Sequence, residues 1–320
     1  PAEKILSEAI CAQVSSSLLA FIRMKELPQI IHSIIKIPQF TNLSFFIMMR
    51  KGEQSVSERS NFFILCAIQI TVMGKISLKD ISTRAPKDFD KDRTKKKTDE
   101  ILNQLDDLQN LLFAEGKHSI LIVMQGMDAS GKDGVIRNVF GKLNPQGVTV
   151  KSYKAPTSEE LSHDFLWRIH HAAPAKGVIQ IFNRSHYEDI LITRVHGWCD
   201  DATAKKRMTA INDFEKLLQD HNNTHILKFY LHISPEEQHE RLQERINDPA
   251  KMWKYNEKDF DEAKRWDDYR KVYEDCFEHC NKIPWIIVPA DQNWYKEFVI
   301  ASALDEMLKN LDMKFPGLKK

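Results

Sequence analysis

Apolar positions in this chain follow two rhythms, and the change between them falls near Gly116. In "TDEILNQLDDLQNLLFAEG", Ile101, Leu105, Leu108, Leu111 and Leu112 recur at helical spacing. They predict a helix over about 91–115 that Gly116 ends. Beyond it come five short β-rich runs: "HSILIVMQ", "VTVKSY", "GVIQIFN", "HILKFYLHI" and "PWIIVPA". The first is apolar without alternation, as expected of a parallel strand buried on both faces. Helical stretches lie between and after them, near 132–143, 159–171, 186–195, 203–220, 235–246 and 293–311. Strand–helix alternation of this kind predicts a three-layer α/β fold around a five-stranded parallel sheet.

Residues 1–72 keep neither rhythm. Their apolar bursts, "LSFFIMM" and "NFFILCAIQITV", have no period. The run at 62–72 falls short of the roughly 20 residues that a membrane span needs. A secretory leader fits poorly, because that run is not at the N-terminus and no small-residue cleavage site follows. Met73 opens "MGKISLKDISTRAPKDFDKDR", which reads as an ordinary protein start. We therefore expect 1–72 to be an atypical extension from a misassigned start and 73–320 to hold the functional domain. An accessory or membrane-associated segment is the competing reading.

Composition narrows the class. The 320 residues carry a net charge of +1, so no nucleic-acid or membrane-surface partner is expected, and any polyanion must be met by local Lys and Arg. Five scattered cysteines lack the spacing of a disulfide framework, which fits a reducing cytoplasm. Cys276 and Cys280 share a helical face beside His279, but no second Cys/His pair answers them, so they read as buried helix cysteines rather than zinc ligands.

The strongest local signal is "MQGMDASGKDG", Met124 to Gly134. Gly126, Gly131 and Lys132 stand at the spacing of G-x-x-x-x-G-K-[ST], after a buried strand and before a helix, the context such a phosphate loop requires. Glycines at 126 and 131 let the backbone approach a phosphate, and the loop amides with the helix N-terminus form an anion site. Lys132 adds a point charge. The final position holds Asp133 instead of the Mg²⁺-binding hydroxyl. With Asp128 it puts two hard carboxylates beside bound phosphate, which points to Mg²⁺; a helix-capping Asp133 is the simpler alternative.

Two further constellations follow. "FNRSHYEDILITRVHG" places Asn183, Arg184, Tyr187 and Glu188 beyond a strand end, where α/β sheets bind ligands. Arg184 and Arg194 are candidate phosphate forks, Glu188 is a candidate to ligate metal or orient the acceptor oxygen, and His186 and His196 read as structural or polar-rim residues. In "RLQERINDPAKMWKYNEKDFDEAKRWDDYRKVYED", Arg241 and Arg245 lie one helical turn apart, followed by Lys251, Lys254, Lys264 and Arg265. This stretch, about 244–268, resembles the basic lid of small kinases. Lys151, Lys154, Arg168, Arg245, Lys251 and Lys254 are candidates for a basic track.

Taken with "LNPQGVTVKSYKAPTSEELSHDFLWR" and "IPWIIVPADQNWYKEFVI", these motifs resemble the family-2 polyphosphate kinases from about Ile76 to Pro316. The resemblance implies an adenylate/thymidylate-kinase-like P-loop fold with a helical lid, and Mg²⁺-dependent transfer between inorganic polyphosphate and AMP, ADP or ATP. It also implies that Asp133 after the loop lysine is the family's own pattern. Carried over by position, Asp128, Lys132, Asp133, Arg184 and Glu188 are implied in catalysis, with Asp128 and Glu188 on metal. Gly126, Ala129, Ser130, Gly131, Gly134, Asn183, Tyr187, Arg194, Arg245 and Lys254 are implied in phosphate or nucleotide contact. Asn183 with Glu188, where many members have Asp-Arg-Ser-Trp-Tyr, resembles the subclass that phosphorylates both AMP and ADP. A homo-oligomer is expected. An ATP-using nucleoside monophosphate kinase and a non-catalytic phosphate-binding module are the alternatives; a hydride-transfer enzyme lacks its G-x-G-x-x-G turn.

Overall fold

A computed structural model describes residues 76–318 of the chain, and the expected extension at 1–72 lies outside them. Within that range five strands, β1 (Ser119–Gly126), β2 (Val148–Ser152), β3 (Ile179–Asn183), β4 (Thr224–His232) and β5 (Trp285–Pro289), form one parallel sheet in the order β2-β3-β1-β4-β5. The α-helices are α1 (Lys91–Glu115), α2 (Lys132–Asn138), α3 (Ser158–Leu161), α4 (Trp167–His170), α5 (Ile192–Val195), α6 (Asp201–Asn222), α7 (Pro235–Asn247), α8 (Lys258–Ala263), α9 (Trp266–His279) and α10 (Asn293–Lys309).

Position in the sheet explains the sequence patterns. β1 is central and buried along its whole length, hence its unbroken apolar run. β2 is an edge strand and mostly exposed, which is why "VTVKSY" carries polar residues. The chain crosses one way from β1 to β2 and the other way from β3 to β4. Right-handed crossovers therefore put their helices on opposite faces of the sheet. On one face α1, α2 and α10 pack together; on the other lie α6, α9 and the turn at 186–190. All strands end on the same side as the loop after β1, and that side carries the site.

The helix at Lys91–Glu115 is capped by Asp90, which accepts from the Arg93 N–H, and ends where the Gly116 N–H bonds the Leu112 carbonyl. Its buried stripe runs through Ile101, Leu102, Leu105, Gln109 and Leu112, so Leu108 and Leu111 are only partly covered. Phe89 packs edge-on against Tyr295 at 5.0 Å and Lys309 donates to Gln104, so α1 runs alongside α10 in the same direction.

Three expected helices are shorter than their patterns. The 132–143 stretch is helical only to Asn138, followed by a 3₁₀ turn at Phe140–Lys142. The 159–171 stretch breaks into α3 and α4, because the Asp164 carboxylate accepts the Leu166 N–H and offers the backbone a turn instead. The 186–195 stretch is a 3₁₀ turn at His186–Ile190 followed by α5. Cys276 and Cys280 are buried and unpaired, as expected. No helix among the described residues is long and apolar enough to cross a membrane.

Candidate active site

The loop between β1 and α2 makes its sharpest turns at glycines. Gly126 has φ 151°, and a Cβ there would lie 2.9 Å from the Leu231 carbonyl oxygen on β4. Gly131 has φ 95°, and a Cβ there would fall 2.3 Å from Lys296 Nζ. Ala129 also adopts the left-handed region, at φ 59°. The loop carbonyls turn towards side-chain donors. Lys132 Nζ donates to the carbonyls of Gly126 (2.7 Å) and Met127 (3.0 Å), with Ser130 Oγ 3.4 Å away. Gln238 donates to the Asp128 carbonyl, Arg241 to those of Ala129 and Ser130, and Lys296 to that of Ser130. Burial, with the neighbouring Arg184 guanidinium, pulls the Lys132 ammonium down to about 8.

Across the sheet, Asn183 ends β3 and Arg184 follows with φ 62°, a conformation that costs a non-glycine residue about 1–2 kcal/mol. Two ion pairs hold it. Arg184 Nη2 lies 2.5 Å from Asp128 Oδ1 and Nη1 lies 3.5 Å from Glu188 Oε2. The two expected metal ligands thus face one guanidinium. Burial alone would raise the Asp128 pKa, but Arg184, Lys132 and Arg245 together hold it below the ordinary carboxylate range. The Arg184 pKa is pushed up, first by Glu188.

Asp133 does not cap the helix; Gly131 occupies the N-cap position. Its carboxylate accepts from Asn183 Nδ2 at 2.9 Å and from Lys254 Nζ at 3.1 Å. Lys254 belongs to a 3₁₀ turn at Met252–Lys254 between α7 and α8, within the expected lid. Arg245, near the end of α7, pairs with Asp259 of α8. Burial and the nearby Asp128 charge raise the Asp259 pKa despite that pairing. The structure therefore gathers Asp128, Lys132, Asp133, Asn183, Arg184, Glu188, Arg245 and Lys254 at one end of the sheet.

Other expected residues are turned elsewhere. Tyr187 is fully buried: its hydroxyl donates to Glu215 at 2.6 Å and accepts from Lys228 at 2.8 Å, so a core network occupies the group expected to meet ligand. His186 is buried in the same cluster, as a structural residue. Arg194 forks Asp201 (2.7 Å) and Asp275 (2.6 Å), carboxylates of α6 and α9 that belong to neither the loop nor the lid. Arg168 is buried, donates to the Lys154 carbonyl and pairs with Glu160 and Asp189, which removes it from the basic track. Lys251 pairs with Glu244. Ser130 is buried under the loop, and a Cβ at Gly134 would meet open space, so nothing in the packing demands a glycine there. Sequence reading missed Lys296 and Gln238, whose partners are far along the chain.

Known proteins give this geometry a family. The profile described as Polyphosphate kinase 2 (PPK2) matches residues 88–316. An AMP/ADP-polyphosphate phosphotransferase of Meiothermus ruber is 46% identical over 219 residues, covering 68% of this chain and 82% of that protein. An ADP-polyphosphate phosphotransferase of Rhodopseudomonas palustris is 41% identical over 229 residues, covering 67% and 79%. The crystal structure of Polyphosphate Kinase 2 from Arthrobacter aurescens superposes with a TM-score of 0.74 at 40% identity, over 77% of this chain and 89% of that one. The expected kinase-like α/β fold is therefore the fold of this chain, which belongs to the polyphosphate kinase 2 family.

Proposed function

We propose that this chain moves a terminal phosphoryl group between inorganic polyphosphate and the terminal phosphate of AMP or ADP, with Mg²⁺. One observation carries the reading. Three of the cations expected to grip phosphate rest on carboxylates of the loop and the lid themselves: Arg184 on Asp128, Lys254 on Asp133 and Arg245 on Asp259. Such cations are arranged to exchange one anion for another, and two polyanions must be brought together here. The obstacle to the reaction is charge repulsion. Positioning and electrostatic stabilisation address it, so no general base is required.

In this reading the loop amides and Lys132 hold one phosphate chain. Arg184 reaches the oxygens between donor and acceptor, and Arg245 and Lys254 close over them from the lid. Water exclusion by the lid strengthens every one of these contacts. Asp128 and Glu188 would hold Mg²⁺. Both carboxylates face the Arg184 guanidinium, and Mg²⁺ is commonly bound through one or two carboxylates plus substrate phosphate and water. When bound, the ion supplies charge neutralisation between phosphate oxygens. The dual-acceptor subclass is assigned from Asn183 followed by Glu188, as the resemblance implies; in the structure the Asn183 amide donates to Asp133. A homo-oligomer in a reducing cytoplasm is part of the same reading, and the free, buried thiols of Cys199, Cys276 and Cys280 among the described residues are compatible with that compartment.

The test is to mix the purified full chain with long-chain polyphosphate, Mg²⁺ and either AMP or ADP, without ATP, and to follow nucleotides by chromatography. ATP from both acceptors is expected. ATP from ADP alone would remove the dual-acceptor assignment, and AMP phosphorylation only after ATP is supplied would replace the donor.

A further inference from the structure

Five consecutive carbonyls of the phosphate loop, Gly126 to Ser130, each accept a side-chain N–H. Lys132 provides two of these bonds from inside the loop. The rest come from two helices behind it. Gln238 and Arg241 stand on α7, with Gln238 Nε2 3.0 Å from the Asp128 oxygen and Arg241 Nη1 3.1 Å from that of Ala129 and 3.2 Å from that of Ser130. Lys296 stands on α10, its Nζ 2.9 Å from the Ser130 oxygen and 2.9 Å from Asn293 Oδ1. Arg241 is itself anchored, donating to the carbonyls of Ala290 and Asp291 after β5 and to Glu237.

A trans peptide is planar, with its C=O and the next N–H on opposite sides. Fixing the Asp128 carbonyl therefore aims the Ala129 N–H the other way, and fixing the Ser130 carbonyl does the same for the Gly131 N–H. Neither amide meets an acceptor among the described residues. We propose that Lys296 is a positioning residue: with Arg241 and Gln238 it clamps the loop carbonyls outward, so that the amides are aimed at phosphate before phosphate arrives. The inference rests on the phosphate-transfer reading above. Preorganised N–H groups stabilise bound charge without reorganising, and a loop free to turn its carbonyls inward would repel the same charge.

Packing alone does not account for Lys296. Its side chain is 1% exposed, its hydrogen-bond partners are two neutral oxygens, and burial with the Arg241 charge beside it pulls its pKa down to about 7, which Glu297 and Glu237 offset only in part. A lysine that folding strips of part of its charge is a burden on stability near neutral pH, whereas a methionine of similar length is not. This separates a positioning role from a structural one. A structural lysine should cost stability when removed and leave phosphate affinity alone. A positioning lysine should do the reverse.

Full-length wild type and Lys296→Met are compared by thermal unfolding, by calorimetric titration with inorganic tripolyphosphate and separately with ADP, and by kcat and KM. Lys296→Met is expected to unfold at or above the wild-type temperature. Its affinity for whichever probe occupies the loop should fall about 10- to 100-fold. Lys296→Arg, which keeps a donor, should recover part of that loss. Wild-type affinity for both probes in Lys296→Met overturns the clamp, as does a lowered unfolding temperature with unchanged KM. If Lys296→Met does not fold, Lys296→Gln, whose amide is too short for the Ser130 carbonyl, takes its place with the same expected loss. A wild-type chain that binds neither probe overturns the phosphate-transfer reading itself, and the clamp with it.

Discussion

Lys132 is a residue on which burial and charge compete openly. Its ammonium has carbonyl partners but lies buried near Arg184, and so titrates at about 8. A bound phosphate adds negative charge beside it and raises that value. Below about pH 8 the lysine is already protonated and binding moves no proton. Above it, binding must bring a proton in, so phosphate affinity is present in full below the unliganded pKa and declines as pH rises through it. Titrations with tripolyphosphate at about pH 8.5 in buffers of different ionisation enthalpy should show proton uptake; a heat independent of buffer would contradict the assignment. Asp128→Asn tests the neighbouring carboxylate. Turnover should fall by roughly 100-fold or more with the unfolding temperature little changed, and near-normal activity would remove Asp128 from the metal site. Sequence adjacency served these residues well and served Tyr187 badly. The left-handed backbone at Arg184 and the 3₁₀ turn after it send Glu188 to the guanidinium and Tyr187 into the core, and one residue of spacing cannot reveal that. Lys296 was illegible for a different reason: nothing in "NWYKEF" announces a bond to a loop 166 positions earlier.

At the scale of elements, strands were legible because burial on both faces leaves an apolar signature, while the broken helices were not. A polar side chain such as Asp164 can offer the backbone a local turn that a hydrophobic pattern does not register. The lid shows a further element-level effect. Arg245 ends α7, Asp259 lies in α8, and their ion pair ties the two helices together across the lid turn. Burial and the Asp128 charge both disfavour the Asp259 carboxylate, so under the proposed role of Arg245 this ion pair is the contact that phosphate would displace. Asp259→Asn removes that competitor while leaving a neutral partner for Asn256 Nδ2, which now donates to Asp259 Oδ1. The variant is expected to lower KM for the phosphate substrate several-fold with kcat within about twofold of wild type. A raised KM would mean that the pair organises the lid rather than blocking it.

For the molecule as a whole, parallel strands and right-handed crossovers limit how the pieces assemble, and the P-loop motif already indicated which end of the sheet carries the site. The order β2-β3-β1-β4-β5 and the packing of α1 along α10 could not be read from periodicity, since they depend on contacts between distant segments. The described region, 76–318, contains the full sheet, helices on both faces, and every residue of the loop–lid site, and the family match spans 88–316 within it. Ile76 and Leu78, which follow Met73 closely, are buried in the same core cluster as β1 and α10. A chain running from Met73 to Lys320 is therefore expected to fold cooperatively and to match the full chain in kcat and KM. The check is unfolding temperature and turnover measured side by side on the two purified chains. Equal values assign folding and chemistry to 73–320. An insoluble or inactive shorter chain would make residues 1–72 part of the working molecule, and the expected misassigned start would have to be given up.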